Sequence, residues 1–193
     1  MKKEASPVHK GNRPLSASRI NRSGLARGTP APAFTLPLSD GGQISLADYR
    51  GRRLLLVFSD PNCGPCRELM PQLTSLHKRT PDIEILMISR GRIEAVEAEL
   101  AERPANFPVA VQKSWEISRR YAKFATPIAY LIDEHGKIAS EVAAGPEPIL
   151  ILLASAQMLA LAKTVKTVRD VLMRKIKAGA PRQLRRDGQP EMK

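Results

Sequence analysis

The chain has 193 residues and only two cysteines, and both lie in one tetrapeptide, Cys63-Gly64-Pro65-Cys66. A continuous apolar run, Leu54–Phe58, ends five residues earlier, and Leu69, Leu73 and Leu76 recur at helical spacing just after it. The pair therefore stands at a strand-to-helix junction. Unpaired N–H groups and the macrodipole at a helix N-terminus stabilise an anion, and a thiolate is one. Cys63 precedes the first turn and should be the exposed thiol. Cys66, three residues on, lies inside the helix, where its sulfur can reach back. An attacking thiol and a resolving thiol are the minimum for disulfide exchange through a mixed disulfide. Pro65 falls in the first turn, where a missing N–H costs little. Two purely structural cysteines seldom share this spacing at such a junction. A metal site would need more ligands, and His9, His77 and His135 show no ligand spacing. The expectation is redox chemistry with no metal and no cofactor beyond a redox-active Cys63–Cys66 disulfide.

The elements that must hold this pair can be read on both sides of it. Phe34 and Leu36, the turn at 39–43, then Ile44 and Leu46 predict a short hairpin. Leu54–Phe58 predicts a central strand covered on both faces, and Cys66–Arg79 a helix stopped by Pro81. Ile83–Ser89 predicts a second buried strand, Arg92–Glu102 an acidic amphipathic helix, and Phe107–Val111 a third strand. Ser114–Tyr121 offers one or two helical turns capped by Ser114. Pro127–Ile132, the turn at 133–137 and Ile138–Val142 predict an antiparallel hairpin, and a long helix runs from Pro148 to about Lys177. A strand–helix–strand unit implies a parallel pair with a crossover helix, to which the last hairpin adds antiparallel strands. The fold class is α/β: a mixed central sheet flanked by helices, with an N-terminal hairpin and an extended C-terminal helix.

Charge divides the chain further. The net formal charge is +12, from 31 Lys and Arg against 19 Asp and Glu. Residues 1–28 hold seven basic residues and one acid, residues 163–193 ten and three, and the body, 29–162, fourteen and fifteen. The expected organisation is a flexible basic arm (1–28), one near-neutral domain (29–162), and a basic helical extension with a disordered tail (163–193). A neutral body without aromatic-rich basic tails gives no reason to expect nucleic acid as a partner. The opening residues lack the apolar segment of about 7–15 residues that a secretory signal carries. The longest apolar run, Ile149–Ala162, is shorter than the roughly twenty residues of a bilayer span. Those two observations point to a soluble, cytoplasmic protein.

The segment from Gly28 to Cys66 resembles the opening of thioredoxin-fold redoxins of the TlpA/ResA and MauD type, within the AhpC/TSA-like redoxin group. The matching motifs are G-x-x-A-P-x-F-x-L, S-L-x-D-x-R-G, the apolar strand and the CGPC tetrapeptide. A second anchor, Ala125-Thr126-Pro127 before IAYLIDEHGKI, is similar to the segment that follows in the same family. The resemblance covers roughly residues 28–155 and implies a thioredoxin-like fold. It implies that Cys63 attacks and Cys66 resolves, with Asn62, Gly64 and Pro65 completing the active-site loop. It further implies a cis Thr126–Pro127 bond facing the dithiol, with the Thr126 backbone pairing with a substrate strand. Read from the residues alone, Pro127 is equally a strand-leading proline. Members of this type are usually exported or tethered to membranes, which makes a periplasmic or membrane-associated location the alternative. The chain also departs from thioredoxins, with Asn62 where they carry Trp and Val57 where they bury an acid. Asp60 and Glu68 are the nearby acids, neither assigned as a base, and Trp115 reads as packing.

Three functions compete on these grounds. The first is a thiol-disulfide oxidoreductase acting on protein disulfides with an upstream electron donor, a reductant because Gly-Pro is the thioredoxin dipeptide. The second is a thiol peroxidase, whose P-x-x-x-T/S-x-x-C motif fails here at Leu56 and Asp60. The third is a domain docked by its basic ends to a membrane or an acidic partner. From Leu161 an apolar stripe continues through Val165, Val168, Leu172 and Ile176 among Lys163, Lys166, Arg169, Arg174, Lys175 and Lys177. A basic amphipathic extension suits that role, and a solvated helix end accounts for the same pattern.

Overall fold

The computed structural model describes residues 24–178. In chain order these form β1 (Thr35–Pro37), β2 (Gln43–Ser45), β3 (Arg53–Ser59), α1 (Gly64–His77), β4 (Ile83–Arg90), α2 (Ile93–Glu102) and β5 (Val109–Gln112). They continue with α3 (Glu116–Arg120), β6 (Ile128–Ile132), β7 (Ala143–Ala144) and α4 (Pro146–Ala178). β1 and β2 make the expected hairpin, and the other strands form one sheet in the order β5-β4-β3-β6-β7. β3, β4 and β5 are parallel, whereas β6 and β7 run antiparallel to their neighbours. This is a thioredoxin-like fold.

The continuous apolar run of β3 is explained by two cores. Leu55 and Val57 point to the side covered by α1, α2 and α4, through Leu69, Leu73, Val96, Ile149 and Leu153. Leu54, Leu56 and Phe58 point to the other side, against Phe34, Leu46, Ile117 and Tyr121. A strand buried on both faces cannot alternate with polar residues, and this one does not. β3 thus delivers the loop after Ser59 to one end of the sheet at a fixed height. Within α1, Pro71 lies in the helix interior and offers no N–H to the carbonyl of Arg67.

Several local expectations are corrected. α1 starts two residues earlier than expected, because Cys63 itself is the N-cap. The third strand is Val109–Gln112, and Phe107 precedes it. Ser114 does not cap α3; the buried Gln112 side chain does so instead, accepting from Ile117 N–H at 3.1 Å and Ser118 N–H at 3.4 Å. The second hairpin keeps its turn, where the Asp133 carboxylate accepts from the N–H groups of His135 and Lys137 and Gly136 takes φ +72. Its return strand is broken: Ile138 bridges to Ile132, the Ser140 hydroxyl takes the Leu131 N–H, and pairing resumes only at Ala143.

Of the basic arm expected over 1–28, residues 1–23 lie outside the described residues. Gly28 N–H bonds to Ile138 O at 2.8 Å and Leu25 N–H to the Tyr130 hydroxyl at 3.2 Å, so residues 24–28 rest on the body. The tail expected beyond the last helix, 179–193, also lies outside. α4 has 33 residues, about 50 Å at 1.5 Å per residue, and runs without a break across position 162. Its first turns are not buried all round: Ile149, Leu153 and Ala156 face the core, while Ile151, Met158 and Leu159 are exposed. The segment Pro146–Ile176 is long and apolar enough to cross a bilayer, more than the fourteen-residue run suggested.

Candidate functional site: the Cys63–Cys66 dithiol

Cys63 is partly exposed and Cys66 is buried at 2% exposure; both are free thiols. The local backbone accounts for that difference. Asp60 O accepts the Cys63 N–H at 3.0 Å, which curls the chain after β3 into the helix. The Cys66 N–H then points at Cys63, 3.3 Å from its sulfur, so the first cysteine caps the helix that the second belongs to. Asn62, Gly64 and Pro65 surround Cys63 and are exposed. Across from them, the Cys63 thiol lies 3.5 Å from Thr126 O, and the Thr126–Pro127 peptide is cis, as the resemblance implied. Every site residue named from the sequence, Cys63 and Cys66, Asn62, Gly64, Pro65, Thr126 and Pro127, is therefore within this one end of the sheet. Trp115, read as packing, also lies close by.

Beneath the pair is a small cavity lined by Ser59, Cys66, Met70, Ser89 and Glu99 among others. Burial pushes the Cys66 thiol up to about 12, and the neighbouring Cys63 thiol adds to the rise. The Ser59 hydroxyl and the Asp60 backbone N–H oppose it by hydrogen bonding to the Cys66 sulfur. Glu99 enters the cavity from α2 and is held by Arg67 (3.3 Å) and Arg103 (3.2 Å).

Asp60, the nearer of the two acids left unassigned, is not solvated. It is 5% exposed, accepts the Asn62 N–H at 2.9 Å and is ion-paired with Arg90 at the end of β4. The Arg90 guanidinium lies over the Trp115 ring, 4.7 Å from its centroid, and Trp115 meets the edge of Phe124 at 6.0 Å. A chain of contacts thus runs from the cysteine loop through Asp60, Arg90, Trp115 and Phe124 to the Thr126 loop. Sequence reasoning missed Ser59 and the Asp60–Arg90 pair. The usable signal was the parallel register of β3 and β4, which pairs Ser59 with Ser89 and so brings residues 60 and 90 together. Glu68, the other acid considered, is exposed on α1.

Comparison with known proteins agrees with this geometry. Residues 27–141 match the AhpC/TSA family. The chain is 30% identical over 118 residues to the thiol-disulfide oxidoreductase ResA of Bacillus thuringiensis subsp. konkukian, covering 60% of this chain and 68% of the relative. It is 30% identical over 120 residues to ResA of Geobacillus thermodenitrificans, covering 61% and 69%. Among solved structures, a putative thiol:disulfide interchange protein DsbE from Chlorobium tepidum superposes with TM-score 0.61 at 29% identity, covering 70% of this chain and 97% of that one. A putative protein disulfide isomerase from Bacteroides thetaiotaomicron gives TM-score 0.61 at 27% identity, covering 70% and 91%. An exposed thiol capping the helix that buries a second one, on this fold and with these relatives, makes the chain a member of the AhpC/TSA family and, within it, a thioredoxin-like thiol-disulfide oxidoreductase.

Proposed function

We propose that the chain reduces disulfides in protein substrates, with Cys63 attacking and Cys66 resolving. The observation that carries this reading is the asymmetry of the pair: one sulfur is partly exposed and lies 3.5 Å from the Thr126 carbonyl oxygen, the other is buried. The Cys63 thiolate attacks one sulfur of the substrate disulfide, the substrate S–S bond breaks, and the first substrate thiolate leaves and takes up a proton. Cys66 then gives up its proton and attacks the Cys63 sulfur, which expels the second substrate thiolate. The substrate gains two electrons and the enzyme is left as the Cys63–Cys66 disulfide, to be reduced by an upstream dithiol donor. Asn62, Gly64 and Pro65 shape the approach, and the Thr126 backbone beside Pro127 pairs with the substrate strand.

In the mixed disulfide the Cys63 sulfur carries no charge and accepts the Cys66 S–H only weakly, so both of its upward influences on Cys66 largely vanish. Covalent capture of the substrate therefore makes the buried thiol easier to ionise at the moment its thiolate is needed. Peroxidase chemistry has little support, since Leu56, at the place of that motif's proline, is buried in mid-strand. α4 is the element that would bring a membrane surface or membrane protein to the enzyme.

Cys66→Ser should accumulate substrates as mixed disulfides on Cys63, and Cys63→Ser should abolish reduction of a protein disulfide. Full reductase activity in Cys63→Ser would refute the assignment. Equilibration with glutathione tests the direction: a potential as oxidising as about −120 mV would make the protein an oxidant instead.

A further inference from the structure

α4 has two faces with different fates. Ile149, Leu153 and Ala156 pack on the sheet, and Arg53 adds a hydrogen bond from its guanidinium to Ala156 O at 3.1 Å. From Leu161 onward the helix has left the domain, and every residue to Ile176 is exposed. Met158, Leu161, Val165, Val168, Leu172 and Ile176 recur at intervals of three and four, and each is between 48% and 68% exposed. At 100° per residue they share an arc of about 80°. Lys163, Lys166 and Arg174 occupy the opposite side, among the exposed Leu159, Val171 and Met173, with Arg169 and Lys175 on the flanks of the stripe. Asp170 is the lone acid of residues 158–176 and lies 3.9 Å from Arg169.

We infer that this extension lies in the plane of an anionic lipid surface, with the apolar stripe sunk among the acyl chains and the basic residues at the phosphates. The charge favours this occupant. Five basic residues and one acid between 158 and 176 give a net positive segment, which a negative leaflet attracts. A second copy would set two such segments side by side, with Arg169 and Lys175 bordering the seam and no acids placed to meet them. A helix about 10 Å wide sunk by roughly 5–10 Å carries its polar side at headgroup depth. Crossing the bilayer is not open to the docked helix. Its apolar first half is pinned to the sheet, and the half that is free carries the five cations. The inference is independent of the redox reading, since none of these residues touches the dithiol.

The test is flotation of the full chain with vesicles of phosphatidylcholine alone and of equal parts phosphatidylcholine and phosphatidylglycerol. Binding is expected only to the mixture, with release at high salt. Val165→Glu with Leu172→Glu should weaken it at least tenfold. The triple variant Lys163→Gln, Lys166→Gln, Arg174→Gln should weaken it by about fivefold per cation removed. All these side chains are exposed, so disulfide reductase activity in solution should be unchanged in both variants and reports that they fold. Equal binding to both vesicle types, no binding to either, or full binding by the Val165/Leu172 variant would overturn the inference. Resistance to alkaline extraction would overturn it in favour of a spanning helix. A dimer without vesicle binding that the glutamates dissociate would overturn it in favour of a second copy.

Discussion

Replacing Ser59 with alanine removes one of two groups that make the Cys66 thiolate accessible. Once Cys63 is tied up in the mixed disulfide, burial alone raises Cys66, and the Ser59 hydroxyl and the Asp60 N–H oppose it. A hydrogen bond to a charged group contributes about 1.5–3 kcal/mol, or roughly one to two pK units at about 1.4 kcal/mol per unit. That shift would cut the thiolate population near neutral pH by about ten- to a hundredfold. A more basic thiolate is also a better nucleophile, with a Brønsted coefficient of about 0.4–0.5, which returns nearly half of the loss on a logarithmic scale. The net expectation is resolution about three- to tenfold slower in Ser59→Ala. The assay is single-turnover release of the second substrate thiol, carried by a chromophore, across neutral to alkaline pH. The Ser59→Ala profile should move to higher pH, whereas Ser59→Thr, which keeps the hydroxyl, should stay near the parent. Identical release rates and an unmoved profile in Ser59→Ala would refute the role of the hydroxyl.

Two further outcomes follow from buried groups. Cys66 and Tyr49 are raised by burial to about 12, from ordinary values of 9.0 and 10.0, and Tyr121 is raised as well. Because the folded values are the higher ones, the stabilisation is complete below about pH 9 and is lost as pH rises toward 12. The free energy of urea unfolding of the reduced protein should therefore fall from pH 9 upward, by up to about 1.4 kcal/mol per pH unit for each group. The oxidised form, in which Cys66 has no proton to lose, should fall less steeply; parallel curves would contradict the burial of that thiol. Arg90→Met should cost about 3 kcal/mol in urea unfolding, the lower end for a broken buried pair because the Arg90 side chain is 35% exposed. Asp60→Asn in the Arg90→Met background should recover part of it, and strict additivity would show that the two do not interact.

The redox pair and its supports were legible because their signals are local. The unbroken apolar run of β3 and the strand-to-helix junction at the cysteines lie within a few residues of what they determine, whereas the cis bond at Thr126–Pro127 was legible only through the family resemblance. Asp60 shows the limit. Its acid sits in a short loop, and only the register of β3 on β4 supplies the cation thirty residues away that allows it to be buried. Gln112 is similar: a polar residue ending an apolar strand carries no mark that its side chain will cap the next helix. α4 shows a second limit. Composition counts apolar residues, but burial depends on which face meets the sheet, and only Ile149, Leu153 and Ala156 of its first turns do.

Pro71 gives α1 a joint. The turns from Gly64 to Met70, which hold Cys66 and are capped by Cys63, meet the rest of the helix where the backbone ladder already lacks a bond, since residue 71 cannot reach the Arg67 carbonyl with an N–H. Behind it, Leu73 is locked in the core at 0% exposure. Any tilt of these front turns would break no hydrogen bond at residue 71, because none is formed there.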